Sequence, residues 1–360
     1  MISYLLFIRL SLGTAVHKNI LILTNMGPKA SAPFQGQFVK NQADALAAIH
    51  PDYFDMRWHN DSALNRLFKY PVFWLSFVWR WVFARKTIDI IHVHYYYPTI
   101  WLALTYRWLR NPKVSIVVTC HGSDIYLYKP ESKLYKWAAQ QVQAWIFTSR
   151  ALQDKFFFQP KQAQVLPAGI HPTFANTRFL SFAEKTIDVL FVGTLDHNKG
   201  VDRLLRLIEQ LPSVQFAVVG AGPLRGQLEQ VADRTANLQL LPSQSPEQLK
   251  AIFEQSRCFI SVSRNESFGL VMTEAMACYT PVIATETDGS LAQIKEGMNG
   301  YRLKQGDEAL LNTALTQSIQ QLLSLAPTDY QQLQKQAQQD AKQYMVITIA
   351  ERLIERYQQL

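Results

Sequence analysis

Cysteine is scarce in this chain and never clustered: Cys120, Cys258 and Cys278 each stand alone in apolar surroundings. That excludes a disulfide framework and the paired spacings of a structural zinc site, and it fits reduced core residues of a cytosolic protein. Long hydrophobic runs are lacking too. Residues 1–12 are apolar apart from Arg9, and residues 70–84 carry only Arg80 as a charge, yet both fall short of the roughly 20 residues a spanning helix needs. No small-residue cleavage site follows the first run convincingly, so it is read as an extra segment ahead of the first core strand. Internal repeats and long low-complexity tracts are absent, although Gln is frequent after residue 317. Complete phosphate-loop signatures are missing as well. Gly193 to Gly200 lacks the closing Gly-Lys-Ser/Thr of a P-loop, and Gly220-Ala221-Gly222-Pro223 stops short of the dinucleotide fingerprint. The second gap disfavours a nicotinamide oxidoreductase.

What is present is an alternation of short apolar runs with helix-like stretches. The first half supplies runs at Ile20–Thr24, Ile88–His94, Val114–Cys120, Ala144–Thr148 and Gln164–Leu166. The second adds Asp188–Val192, Gln215–Val219, Leu238–Leu241, Cys258–Val262, Pro281–Ala284 and Tyr301–Leu303. Such alternation favours βαβ units and mainly parallel sheets, and the runs outnumber one ordinary open sheet. Two doubly wound α/β domains meeting near residue 180 account for the 360 residues. A charge break coincides with that junction: residues 1–180 carry 20 Lys and Arg against 8 Asp and Glu, whereas residues 181–360 carry 16 against 20. The first half therefore attracts something anionic.

Ligands of parallel sheets gather where strands end and helices begin. Several conspicuous residues fall there. Glu266-Ser267-Phe268-Gly269-Leu270 follows a strand-like run and opens a helix carrying Glu274, which offers free backbone N–H groups at one point and a carboxylate at another. Gly193 to Gly200 precedes another helix, and Lys199 can add a point charge against a phosphate. His121 follows a third run and suits a hydrogen-bonding or acid–base role as well as a structural one. Asp124 suits a substrate hydroxyl or the cap of a turn equally. Gly36 lies in a long loop after the first run. His92, His94 and His121 have no carboxylate at a metal-ligand spacing.

Together these pieces resemble the GT-B retaining glycosyltransferases of family 4 (glycosyltransferase group 1), typified by bacterial polysaccharide and lipopolysaccharide hexosyltransferases. The resemblance rests on the Gly193…Lys199-Gly200 loop, Gly220-Ala221-Gly222-Pro223, the Glu266-x7-Glu274 segment, Pro281-Val282-Ile283-Ala284 with Asp288-Gly289, and Asn299-Gly300-Tyr301. It is strongest from Val189 to Leu303. It implies two Rossmann-like domains facing across a cleft: an acceptor domain at 1–180, a nucleotide-sugar domain at 181–343, and a final helix at 344–360 crossing back. The implied donor is a nucleoside diphosphate sugar, with no other cofactor and no essential metal. By resemblance, Glu274 holds the ribose, Lys199 the diphosphate, and Glu266 and His121 lie near the transferred sugar. Gly193, Gly220, Phe268, Gly269 and Leu270 line the donor. Gly36 belongs to a loop closing over donor and acceptor, with residues 34–47 as its usual continuation, and Asp124 completes the acceptor side. Two departures stand out. The family's arginine after the first glycine is Thr194 here, leaving Arg203, Arg264 or the helix start to compensate. A carboxylate common near Gln293 is also absent.

An amphiphilic acceptor, a saccharide carried on polyisoprenyl diphosphate, would reconcile the basic first half with the aromatic stretch at 70–84. Pro71 suits the start of a helix there. That helix is either buried or set partly into an anionic membrane surface, with Trp at headgroup depth and Arg66, Lys69, Arg80, Arg85 and Lys86 near lipid. The expected site is the cytosolic face of the membrane. A nucleic-acid binder fits the charge but shows no binding module. A non-catalytic, membrane-associated scaffold or sugar-nucleotide-binding protein is the alternative reading.

Overall fold

The computed structural model describes residues 18–28, 35–57, 62–126 and 132–360. The 1–12 segment and Phe34, which begins the glycine-loop continuation, lie outside the described residues. The chain divides into two compact units, one running to Gly169 and regaining Val346–Leu360, the other Ile170–Met345. The division thus falls at Gly169/Ile170 rather than near 180, and Phe174–Lys185 belongs to the second unit.

The first unit holds a parallel sheet of β1 (Ile20–Thr24), β2 (Asp52–Asp55), β3 (Ile90–His94), β4 (Ser115–Cys120), β5 (Ala144–Phe147) and β6 (Ala163–Val165), in the order β2-β1-β3-β4-β5-β6. The second holds β7 (Ile187–Val192), β8 (Phe216–Val219), β9 (Leu238–Leu241), β10 (Ser256–Ser261), β11 (Val282–Thr285) and β12 (Gly300–Leu303), ordered β12-β11-β10-β7-β8-β9. Both are doubly wound. Alternation along each strand feeds a core on each face: Leu21 and Leu23 join one cluster while Ile20 and Ile22 join another. β2, whose Asp-Tyr-Phe-Asp pattern has too little apolar length to be read as a strand, pairs in register with β1.

One helix departs from the sequence reading. The helix Ala63–Phe77 starts eight residues before Pro71, because Ser62 caps it by accepting from the Asn65 N–H at 3.2 Å. Pro71 therefore sits inside it. A π-helical turn, Val78–Val82, continues the helix. Phe73, Phe77 and Trp81 form a buried stripe at helical spacing against Phe54, with the rings of Phe54 and Phe73 stacked at 5.3 Å. The stretch is thus half core and half surface, not a wholly buried helix. The tail forms two helices: Pro327–Ala341 belongs to the second unit and Val346–Gln358 to the first. The latter buries Ile349, Leu353, Ile354 and Tyr357 against Ile20, Ile22 and Ile90.

Candidate active site

In the second unit the strand order reverses between β7 and β10, the place where doubly wound sheets collect ligands. The loops leaving these two strands are stitched together. Arg264 N donates to Asn198 O at 2.7 Å, and the Arg264 guanidinium grips Asp202 with two 2.8 Å hydrogen bonds. Glycine is required at the join: Gly200 has φ 75°, and a Cβ there would lie 2.1 Å from Val262 O. Gly220 likewise lets its turn meet the Gly193 carbonyl, 2.0 Å from where a Cβ would stand. Lys199 Nζ forms an ion pair with Glu266, both side chains being half-buried. Two residues distant in sequence thus meet at the mouth of the helix Leu270–Ala277, whose N-cap is Gly269 at φ 78°.

Glu274 lies just over one turn into that helix. Among the described residues its carboxylate meets no donor, and burial raises its pKa to about 7. A half-buried acceptor without a partner suits a ligand that brings its own hydroxyl donors. Phe268 is buried with its ring edge-on to Tyr344 at 5.2 Å, and its carbonyl accepts from the Gln293 amide. Gln293 also donates to Gly289 O at 3.3 Å and accepts from the Thr273 hydroxyl. A carboxylate at this position could not donate to either carbonyl, which gives the departure at Gln293 a physical reason. Sequence reasoning missed this brace, since nothing local marks a buried glutamine.

Arg203 is corrected. Its guanidinium is buried and committed to Glu308 at 2.7 and 3.0 Å, Gln305 at 3.0 Å and Val262 O at 3.0 Å. It braces the site's floor instead of compensating for Thr194. Arg264 is occupied in the same way by Asp202 and the His197 carbonyl. Lys199, more exposed than Arg203 and held among the described residues by Glu266 alone, and the backbone N–H groups at the Gly269-capped helix start are the groups best placed to meet an anion.

In the first unit, β3 and the loop leaving β4 bring three imidazoles into a row. His92 bonds the Tyr357 hydroxyl at 2.5 Å and the Thr119 hydroxyl at 2.7 Å, while His94 Nδ1 meets His121 Nε2 at 3.0 Å. Burial is the main cause holding all three neutral, with His92 and His121 lowered to about 3. Tyr95 is left-handed at φ 66° and places its ring 4.6 Å from His121. Burial therefore favours the neutral imidazole of His121, which suits a hydrogen-bonding group rather than a cation. The alternation His92-Val93-His94 was the available signal for this row; the partnership with Tyr357 had none.

Of the two uses the sequence allows Asp124, substrate contact and loop cap, the carboxylate is committed to the second. Its buried carboxylate accepts from Tyr96 N and His121 N at 3.0 Å and from Gly122 N at 2.9 Å. It thereby positions His121. Gly36, at φ 76°, begins the helix Gln37–Ala45, and a Cβ there would lie 2.5 Å from Met26 O. Among the described residues no group of His, Cys, Asp and Glu is arranged to hold a metal ion.

Two doubly wound parallel sheets with these loops define a GT-B, two-domain α/β protein. Sucrose-phosphate synthase from Thermosynechococcus elongatus superposes with a TM-score of 0.76 at 22% identity, covering 95% of this chain and 99% of that one. Anabaena HepE, solved in complex with UDP-glucose, gives a TM-score of 0.69 at 18% identity over 96% and 100%. These likenesses speak to the fold. The chain belongs to the group 1 glycosyltransferases: residues 174–341 match glycosyl transferases group 1, and residues 49–174 match glycosyltransferase family 4. An uncharacterized glycosyltransferase of Methanocaldococcus jannaschii is 29% identical over 228 residues, which is 61% of this chain and 62% of that relative. The chain thus spans about three-fifths of that relative's length.

Proposed function

We propose that this protein transfers a hexosyl group from a nucleoside diphosphate sugar to an acceptor hydroxyl with retention of anomeric configuration, in cell-surface polysaccharide or lipopolysaccharide synthesis. The observation that carries the reading is the meeting of Lys199 and Glu266 at the β7/β10 switch point, beside the helix that bears the unpartnered Glu274. Family membership supports glycosyl transfer, and the UDP-glucose bound by the HepE structure supports a nucleotide-sugar donor.

In this reading Glu274 accepts from the ribose hydroxyls, and Lys199 with the glycine-capped amides neutralises the diphosphate. As the glycosidic bond breaks, charge builds on the leaving phosphate, so preorganised donors stabilise the transition state more than the ground state. Glu266 and the neutral His121 hydrogen-bond the hexose, while Gly193, Gly220, Phe268, Gly269 and Leu270 form the donor's walls. Gly36 belongs to the loop that closes on donor and acceptor. No essential metal or other cofactor enters, and attack from the face of the departing phosphate preserves configuration. The acceptor is a saccharide, free or linked to polyisoprenyl diphosphate, met at the cytosolic face of the cell membrane.

Product analysis with nucleoside diphosphate sugars and both acceptor types tests this. Retained glycoside is expected, undiminished by EDTA. Donor binding without transfer or hydrolysis would favour a non-catalytic sugar-nucleotide-binding protein, and neither binding nor transfer would overturn the reading.

A further inference from the structure

Three segments of the first unit, 62–86, 96–113 and 132–141, hold six of the eight tryptophans and ten Lys and Arg, with no Asp or Glu. The fold brings them into one helical layer. Trp74 Nε1 of the Ala63–Phe77 helix donates to Thr105 on the Tyr96–Leu109 helix at 3.0 Å, and Arg110 donates to Ala84 O at 2.9 Å. Trp137 of the Lys133–Gln140 helix lies 6.4 Å from Trp101 and 5.9 Å from Trp108, ring to ring. The inner side of this layer belongs to the core. Its outer side is unusual: Trp79 is 79% exposed, Phe83 72%, Trp108 55% and Trp137 40%. At roughly 150–250 Å² per aromatic side chain, these four alone leave on the order of 500 Å² of aromatic surface in water. A monomer's largest apolar patch is ordinarily about that size, and Leu67, Leu75 and Leu109 of the same helices are exposed as well. Among the described residues, only Lys86 of the ten cations has a carboxylate partner, Asp52.

We infer that this three-helix face rests on an anionic lipid surface. Trp and Phe sit at the headgroup boundary, the leucines reach the acyl region, and the unneutralised Lys and Arg meet lipid phosphates. The chain shows no recognised nucleic-acid-binding module, which argues against nucleic acid. The single sign of charge argues against a second copy docking face to face, because like charges would oppose like. Among the described residues no helix is long and apolar enough to cross a membrane, so the contact lies on the surface of the bilayer. The inference deepens the lipid-linked-acceptor reading by naming the surface that would meet the membrane, while its evidence is independent of catalysis.

Co-sedimentation of the full chain with vesicles tests it. Phosphatidylcholine vesicles containing phosphatidylglycerol should bind the protein, and phosphatidylcholine alone should bind it at least tenfold more weakly. The double substitution W79S/F83S, at exposed positions, should reduce binding at least tenfold in high salt. K133E/K136E should reduce it only on anionic vesicles. Unchanged melting temperatures and unchanged transfer to a soluble acceptor would show both variants folded. Failure to bind either vesicle, or wild-type binding by W79S/F83S, overturns the inference. So does a wild-type dimer that W79S/F83S disperses, which would assign the face to a second copy. A protein that binds vesicles yet transfers no sugar would sink the catalytic reading and leave this one standing.

Discussion

Glu274 is the residue whose environment says most about the donor. Burial favours the neutral carboxyl, so the ionised form, the better acceptor for two hydroxyls, is populated only above about pH 7. Donor affinity is therefore expected to weaken as pH falls through 7. Glu274→Gln should flatten that dependence and cost about 1.5–3 kcal/mol of binding, some ten- to a hundredfold, as titration calorimetry across pH would show. Glu274 was legible from its spacing to Glu266, whereas Gln293 was legible only as a departure. Gln293→Glu removes both donors from the Phe268 and Gly289 carbonyls and should destabilise the second unit by about 2–3 kcal/mol, read as a lowered Tm. His121 stays neutral from pH 5 to 9, so no limb of a pH–rate profile in that range should belong to it. His121→Ala should depress kcat more than donor affinity in steady-state kinetics.

Elements were legible where their signals were local. The parallel strands announced themselves through apolar runs, and the Leu270–Ala277 helix through its glycine start. β2 and the true start of Ala63–Phe77 did not. The former is too short and polar to be seen, and the latter depends on a Ser62 cap that outweighs the proline. The Val346–Gln358 helix shows how an element acquires meaning from packing. The resemblance implies a final helix crossing back to the first domain, and packing gives that helix its detail: it completes one face of the first sheet and supplies Tyr357 to His92. Removing Val346–Leu360 should unfold or markedly destabilise the first unit, seen as loss of its thermal transition. Tyr357→Phe, which keeps the ring, should cost about 1–3 kcal/mol by leaving His92 Nδ1 unpaired.

At the scale of the whole molecule, the two units are separately cored, each by clusters on both faces of its own sheet. The Ile170–Met345 unit begins and ends at one place, since Ile170 N donates to Tyr344 O at 2.9 Å and Ile170 bridges Met345. A fragment of these residues should fold cooperatively and bind nucleoside diphosphate sugars, because the Lys199, Glu266 and Glu274 set lies wholly within it. A thermal-shift titration checks this, and a fragment that melts without responding to any such donor would place essential binding groups outside it.

Taken by itself, the order of residues determined the alternation of strands and helices, the family, and which loops hold the candidate donor site, because those signals are periodic or adjacent along the chain. Tertiary structure alone decided that Lys199 pairs with Glu266, that Arg203 and Asp124 are braces, and that three distant helices share one basic, tryptophan-rich face. Those facts depend on which groups burial removes from water and which partners then reach them. No spacing along a chain records that.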